Sequence, residues 1–139
     1  HRRLFSGNMV EEMRFARLWA QWENALASVH SDGAHIESPS EYARAFSRLE
    51  NHYFQHGCFF ETDGWILQQR HRIEHIGAVV VQGRFDMICP PVSAHRLAKG
   101  WRACDLRMVG LAGHALSEPG ISAELVHVMD GLRSSAIRG

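Results

Sequence analysis

The stretch Ala78-Val79-Val80-Val81-Gln82-Gly83-Arg84-Phe85-Asp86 joins an apolar run to a turn that carries an acid. A β-branched run bounded by glycine is typical of a strand buried on both faces of a sheet. A second run, Leu106-Arg107-Met108-Val109, precedes Ala112-Gly113-His114-Ala115 and predicts a second strand that is more exposed on one face. Each strand is therefore expected to end in a loop that carries one chemically useful side chain.

Helical patterns follow both predicted strands. After Asp86 and after His114, apolar residues recur along one side of a helix: Ala94, Leu97, Ala98 and Trp101 in the first helix, and Ile121, Leu125, Val128 and Leu132 in the second. The order strand, helix, strand, helix with short loops predicts an α/β fold with parallel strands and right-handed crossovers.

The first half of the chain is predicted to be helical. Residues 11–29 place six apolar side chains at helical spacing on one face, which is expected to be buried: Phe15, Leu18, Trp19, Trp22, Leu26 and Val29. A second helix, with Ser38 and Pro39 at its start, presents Tyr42, Phe46, Leu49 and Tyr53 before Gly57, and a third is expected over residues 64–72. The chain is thus divided near Ile73 into a helical part, residues 1–72, and an α/β part, residues 73–139.

Composition excludes several classes of function. The 139 residues carry 15 basic and 15 acidic side chains, so no electrostatic footprint for nucleic acid or an anionic membrane exists. Three cysteines without CxxC spacing predict a reduced intracellular protein, in the cytoplasm. Because the chain begins at His1 rather than Met, we expect it to be a fragment of a longer protein.

Asp86 and His114 form a candidate catalytic pair. Functional groups of open α/β sheets gather at the carboxyl ends of strands, where both residues are predicted to lie. An Asp that accepts the Nδ1 proton of a His fixes the tautomer of the ring, and Asp before His is the chain order of α/β-hydrolases. The nucleophile's Gly-x-Ser-x-Gly turn does not occur in the 139 residues. The alternative is that Asp86 caps its turn and His114 is an ordinary loop residue.

Four blocks of the chain resemble the proline iminopeptidases (prolyl aminopeptidases). They span nearly the whole sequence and comprise residues 19–24, 45–54, 79–91 and 113–121. The resemblance implies the C-terminal part of an α/β-hydrolase fold, with residues 1–72 as the later part of an all-helical cap and 73–139 as the last two strands and helices. It further implies a cofactor-free serine peptidase acting on peptides with an N-terminal proline, in which His114 moves the proton and Asp86 orients it.

The same resemblance implies that Glu23 and Glu50 hold the free amino end of the substrate. Both acids border an apolar helix face, four residues after Trp19 and Phe46 respectively. Acids rarely face a buried surface without a cation or a hydrogen-bond donor, and a substrate ammonium is one such cation. The alternative is a protein partner such as Arg48.

Other interpretations stay open. A different α/β-hydrolase (an esterase, amidase or epoxide hydrolase) or a non-catalytic binding module would fit the Asp86 and His114 loops. The 139 residues are expected to be inactive alone.

The spacings His52-x-x-x-His56 and His71-x-x-x-His75 suit a metal, but ten histidines make chance pairs common, so no metal site is predicted. Cys89 is expected to be a small buried residue, and the cluster Tyr53, Phe54, Phe59 and Phe60 is expected to form cap core.

Overall fold

The computed structural model describes residues 1–29 and 40–136. Its helices are α1 (Met9–Ala27), α2 (Ser40–Gln55), α3 (Trp65–Gln68), α4 (Pro91–Ala98) and α5 (Pro119–Ala136), its strands are β1 (Ala78–Gly83) and β2 (Cys104–Val109), and short 3-10 segments cover Gly57–Phe59 and Gln69–Arg72. The predicted helices and strands are confirmed with small shifts at their ends, whereas the predicted helix start at Ser38 and Pro39 lies outside the described residues. Among the described helices, none is long and apolar enough to cross a membrane.

The two strands pair in parallel, as predicted. Their register runs from Ala78 opposite Cys104 to Gly83 opposite Val109, so both strands end at the same edge of the sheet. Helix α4 connects them, and α5 follows β2 and packs on both strands. The loops that carry Asp86 and His114 are therefore neighbours.

The prediction that β1 is buried on both faces is wrong. Its side chains from Ala78 to Gln82 are only half-buried. Within residues 1–29 and 40–136 the sheet consists of two strands, so β1 has a hydrogen-bonded neighbour on one side alone. A strand with one neighbour is covered less than the central strand that the β-branched run predicts.

The chain forms two compact units. Among the described residues, the helical unit comprises 1–25 with 40–65, and the sheet unit comprises 26–29 with 66–136. The core of the helical unit contains Leu4, Ala16, Ala20 and Ala43, with Phe15, Trp19 and Phe46 packed against it. The assignment of residues 1–72 to a cap and 73–139 to a hydrolase core stays a prediction.

The predicted buried faces of the first two helices are wrong in part. The buried stripe of α1 is Glu12, Ala16 and Ala20, whereas Leu18 is 51% and Trp22 64% exposed. On α2 the buried residues are Ala43, Ser47 and Asn51, and Tyr42, Leu49 and Tyr53 are exposed. The four aromatic residues expected to form core, Tyr53, Phe54, Phe59 and Phe60, are exposed as well. Ala16, Ala20 and Ala43 form the buried cluster with Leu4, so the buried stripe of each helix lies beside its stripe of large apolar residues rather than on it.

Candidate active site

Asp86 and His114 meet at the carboxyl edge of the sheet. His114 Nδ1 lies 3.0 Å from Asp86 Oδ2. Because an ionised carboxylate only accepts hydrogen bonds, Nδ1 carries the proton in this pair, and Nε2 of the neutral ring is the acceptor. The His114 side chain is 42% exposed whereas that of Asp86 is 6% exposed, so the imidazole is accessible to solvent and the carboxylate is not.

The Asp86 carboxylate is held on both oxygens. Oδ1 accepts the backbone N–H groups of Ile88 at 3.0 Å and Cys89 at 2.7 Å. Oδ2 accepts Gln82 Nε2 at 3.2 Å besides His114. Asp86 therefore does cap its turn, and it binds His114 at the same time.

Glycine allows the two loops to touch. A Cβ atom at Gly83 would lie 1.9 Å from the Gly113 carbonyl oxygen, so no larger residue fits there without moving the His114 loop. The backbone N–H groups of Arg84 and Phe85 donate to the carbonyl oxygens of Val109 and Ala112, each at 2.9 Å. The end of β1 and the loop after β2 are thus bonded side by side.

The His114 loop has a second set of contacts, within the sheet unit. The Ala27 carbonyl oxygen accepts the N–H groups of His114 and Ala115, both at 2.8 Å. Buried Glu118 accepts the Gly113 N–H at 2.6 Å and the Ser28 hydroxyl at 2.7 Å. These contacts fix the backbone on each side of the candidate base.

Sequence reasoning assigned no role to Gln82 or Glu118. Gln82 is a polar residue at the end of an apolar strand, and Glu118 directly precedes Pro119 at the start of α5. The position of Glu118 is a signal that the sequence does carry, because the helix dipole favours an acid just before a helix. Gln82 binds Asp86, which is only four residues further along the chain, whereas Glu118 binds Ser28 and Val29, which are 90 and 89 positions away and leave no local pattern.

Glu50 and Glu23 belong to the helical unit. Half-buried Glu50 accepts Trp19 Nε1–H at 2.8 Å. Half-buried Glu23 follows Trp19 by four residues on α1, so the two side chains share a helix face. The alternative partner Arg48 binds Glu12 instead, with Nη1 2.8 Å from Oε2. In the part of the chain that the structure describes, Glu50 has no ion-pair partner.

Trp19 also lines an open apolar groove of about 400 Å³ in the helical unit. The groove wall is formed by His1, Arg3, Leu4, Phe15, Leu18, Trp19 and Trp22. The Trp19 indole therefore donates to Glu50 through its N–H and also lines the groove, but neither Glu50 nor Glu23 is among the groove's lining residues.

The other histidines and the cysteines that the structure describes are not grouped into a metal site. Outside the undescribed segments 30–39 and 137–139, no group of three or more potential ligands is arranged to hold a metal ion. The His52 and His56 rings lie 4.4 Å apart, and His56 Nδ1 is 2.7 Å from the His52 carbonyl oxygen. Cys89 is exposed, contrary to the prediction that it is buried, because its turn lies at the surface and only its backbone N–H is used by Asp86.

Comparison with known proteins confirms the predicted resemblance. The chain is 40% identical over 128 residues to the proline iminopeptidase of Arabidopsis thaliana, which covers 91% of this chain and 34% of that protein. It is 38% identical over 133 residues to the proline iminopeptidase of Xanthomonas citri, an alignment that covers 94% of this chain and 42% of that protein. It is 39% identical over 133 residues to a probable proline iminopeptidase of Leptolyngbya boryana, with 94% of this chain and 41% of that protein covered. The chain therefore spans about a third to two-fifths of the length of these relatives. No protein-family model matches it.

Proposed function

We propose that the protein containing these 139 residues is a proline iminopeptidase, a serine exopeptidase of the α/β-hydrolase fold that releases N-terminal proline from peptides. The observation that carries the proposal is the His114–Asp86 pair, 3.0 Å apart at the ends of two parallel strands. The supporting comparison is 38–40% identity to proline iminopeptidases over about nine-tenths of the chain. Free cysteines fit a reducing compartment, so we place the enzyme in the cytoplasm.

His114 is the proton carrier of the proposed reaction. Its Nε2 accepts the hydroxyl proton of a serine outside the 139 residues, while that oxygen attacks the prolyl carbonyl carbon. Nε2 then donates the proton to the leaving amine, and water hydrolyses the acyl-enzyme with His114 again as base. Asp86 keeps the proton on Nδ1 and stabilises the imidazolium that forms in both steps.

Glu50 and Glu23 supply the specificity. An N-terminal proline carries a secondary ammonium with two N–H donors, and two carboxylates provide an acceptor for each. Glu50 is suited to this role because its partner in the described chain is the neutral Trp19 indole rather than a cation.

The test uses the full-length protein and four substrates: a chromogenic proline amide, its N-acetyl derivative, a small ester and an epoxide. We expect turnover of the proline amide alone, because acetylation removes the ammonium that the carboxylates bind. A His114→Ala variant is the control for chemistry at this site, and the 139 residues alone are expected to give no turnover. Cleavage of the acetylated amide as fast as the free amide, or turnover of the ester or epoxide only, would contradict the proposal.

A further inference from the structure

Glu118 lies in an unusual environment for a carboxylate. It is 3% exposed, and it accepts hydrogen bonds from two segments that are far apart in the chain, one at Ser28 and Val29 and the other at Gly113. Oε2 accepts the Gly113 N–H at 2.6 Å, and Oε1 accepts the Ser28 hydroxyl at 2.7 Å and the Val29 N–H at 2.5 Å. Glu118 directly precedes α5, whose N-terminal dipole favours the negative charge.

These bonds complete a clamp on the backbone of His114. The N–H of Gly113 donates to Glu118, and the N–H groups of His114 and Ala115 both donate to the Ala27 carbonyl oxygen. Glu118 also holds Ser28 and Val29, which directly follow Ala27. The Glu118 carboxylate thus binds both the His114 loop and the segment Ala27–Val29, whose first residue accepts the other two N–H groups of the loop.

We propose that Glu118 is a positioning residue for His114, holding the loop so that Nδ1 stays within hydrogen-bond distance of Asp86. The inference rests on the proposed role of His114 as the base. Glu118 lies on the backbone side of the loop and acts through it rather than on the substrate. Its loss is therefore expected to lower the rate of the chemical step without weakening substrate binding.

The chemistry of the site predicts how substitutions rank. A glutamine has one acceptor oxygen, and its NH₂ group would face an N–H or O–H donor that the carboxylate now accepts. Misplacing a catalytic group by about 1 Å costs roughly 10²-fold in rate. We expect Glu118→Gln to lower kcat about 10- to 100-fold with KM within about twofold of wild type, because only positioning is lost. Ser28→Ala removes one donor and is expected to lower kcat only a few-fold.

The experiment measures kcat and KM of the full-length protein with a proline amide, and records the His114 Nδ1–H resonance by ¹⁵N-edited NMR. Glu124→Gln is the matched control, since it makes the same change on the same helix at a side chain that binds Arg107. We expect wild-type kcat for this control. In Glu118→Gln we expect the Nδ1–H resonance to weaken or exchange faster, and in Glu124→Gln, which alters the same helix, we expect it to be unchanged.

Three outcomes overturn the inference. The first is a Glu118→Gln enzyme with wild-type kcat and an intact Nδ1–H resonance, and the second is a loss confined to KM. The third applies if Glu118→Gln fails to fold: a Ser28→Ala enzyme with wild-type kcat and resonance then overturns it. If the wild-type protein cleaves no proline amide, the proposed function fails, and the NMR comparison still decides whether Glu118 positions His114.

Discussion

Asp86 in the sheet unit and Glu50 in the helical unit are both candidate functional carboxylates, yet their surroundings differ. Asp86 is 7% exposed and accepts hydrogen bonds from the backbone of Ile88 and Cys89 and from the side chains of Gln82 and His114. Glu50 is half-buried and accepts one hydrogen bond, from Trp19 Nε1.

The two carboxylates differ in how much of their hydrogen-bonding capacity the protein itself uses. A carboxylate offers about four lone-pair positions, and Asp86 has a donor for each of them. Such a group is fixed by its own protein and is suited to orienting a neighbour. Glu50 accepts one hydrogen bond and keeps acceptor capacity, which a cationic ligand can use. We infer that the carboxylate in the sheet unit positions a neighbouring side chain, whereas the carboxylate in the helical unit is available to a ligand.

The most severe test of this comparison is Asp86→Asn. The amide NH₂ would face an N–H donor, which disfavours the Nδ1–H tautomer of His114 and removes the charge that stabilises the imidazolium. We expect kcat of the full-length enzyme on a proline amide to fall about 10⁴-fold, as for an Asp→Asn change in a serine protease triad.

Asp105→Asn is the matched control for that loss. Asp105 lies on β2 and binds Arg107 at 2.8 Å on a more exposed part of the same unit. We expect wild-type kcat for this variant. A fall of less than tenfold in Asp86→Asn would show that the saturated carboxylate does not orient the base.

Glu50→Gln tests the other half of the comparison. The amide oxygen can still accept the Trp19 N–H, but the charge proposed to bind the substrate's ammonium is lost. A hydrogen bond to a charged group contributes about 1.5–3 kcal/mol, so we expect kcat/KM for a proline amide to fall roughly 10- to 150-fold. Glu23→Gln is expected to behave similarly, and steady-state kinetics measures both.

Glu41→Gln provides the control on the same helix, because Glu41 is an exposed acid in the first turn of α2. Its kcat/KM is expected to match wild type. If Glu50→Gln also kept wild-type kcat/KM, the spare acceptor capacity of Glu50 would have no part in substrate binding, and the contrast with Asp86 would be structural only.

The sequence predicts the sheet unit better than the helical unit, for a physical reason. A β-branched run, a glycine and an acid are neighbours in the chain, and parallel pairing brings the ends of β1 and β2 together. The meeting of Asp86 and His114 follows from those local signals. The close approach of the Gly113 carbonyl to Gly83, which leaves no room for a Cβ, does not, because it depends on where the second loop lies in space.

The buried stripe of the helical unit escaped prediction because amphipathic spacing does not say which stripe has a partner. Large apolar residues such as Trp22 predicted the buried face, whereas Glu12, Ala16 and Ala20 occupy it. Glu118 was missed for a related reason: its partner Ser28 is 90 positions away in the chain. Long-range hydrogen bonds of this kind leave no periodic signal.

Glu12 gives the comparison a third case, a carboxylate in the helical unit that is as saturated as Asp86. It is 3% exposed and binds Arg44 Nη2 at 2.6 Å, Arg48 Nη1 at 2.8 Å and the Gly7 N–H at 2.9 Å. The hydrogen bond from Arg44, followed by that from Gly7, holds the pKa of Glu12 below its ordinary value. By the same reasoning as for Asp86, this carboxylate is structural.

A lowered pKa in the folded state means that Glu12 stabilises the fold at neutral pH. That contribution is fully present above the ordinary Glu pKa of about 4.5 and is lost as pH falls through the lower folded value. We therefore expect Glu12→Gln to reduce the free energy of unfolding at pH 7 and to differ less from wild type as pH falls below 4.5, measured by urea titration. Glu11→Gln is the matched control in the same turn, and its effect should be smaller because Glu11 pairs with the more exposed Arg3. A Glu12→Gln difference that did not shrink in acid would show that the shape of the side chain, not its charge, stabilises the helical unit, and that its saturation is unlike that of Asp86.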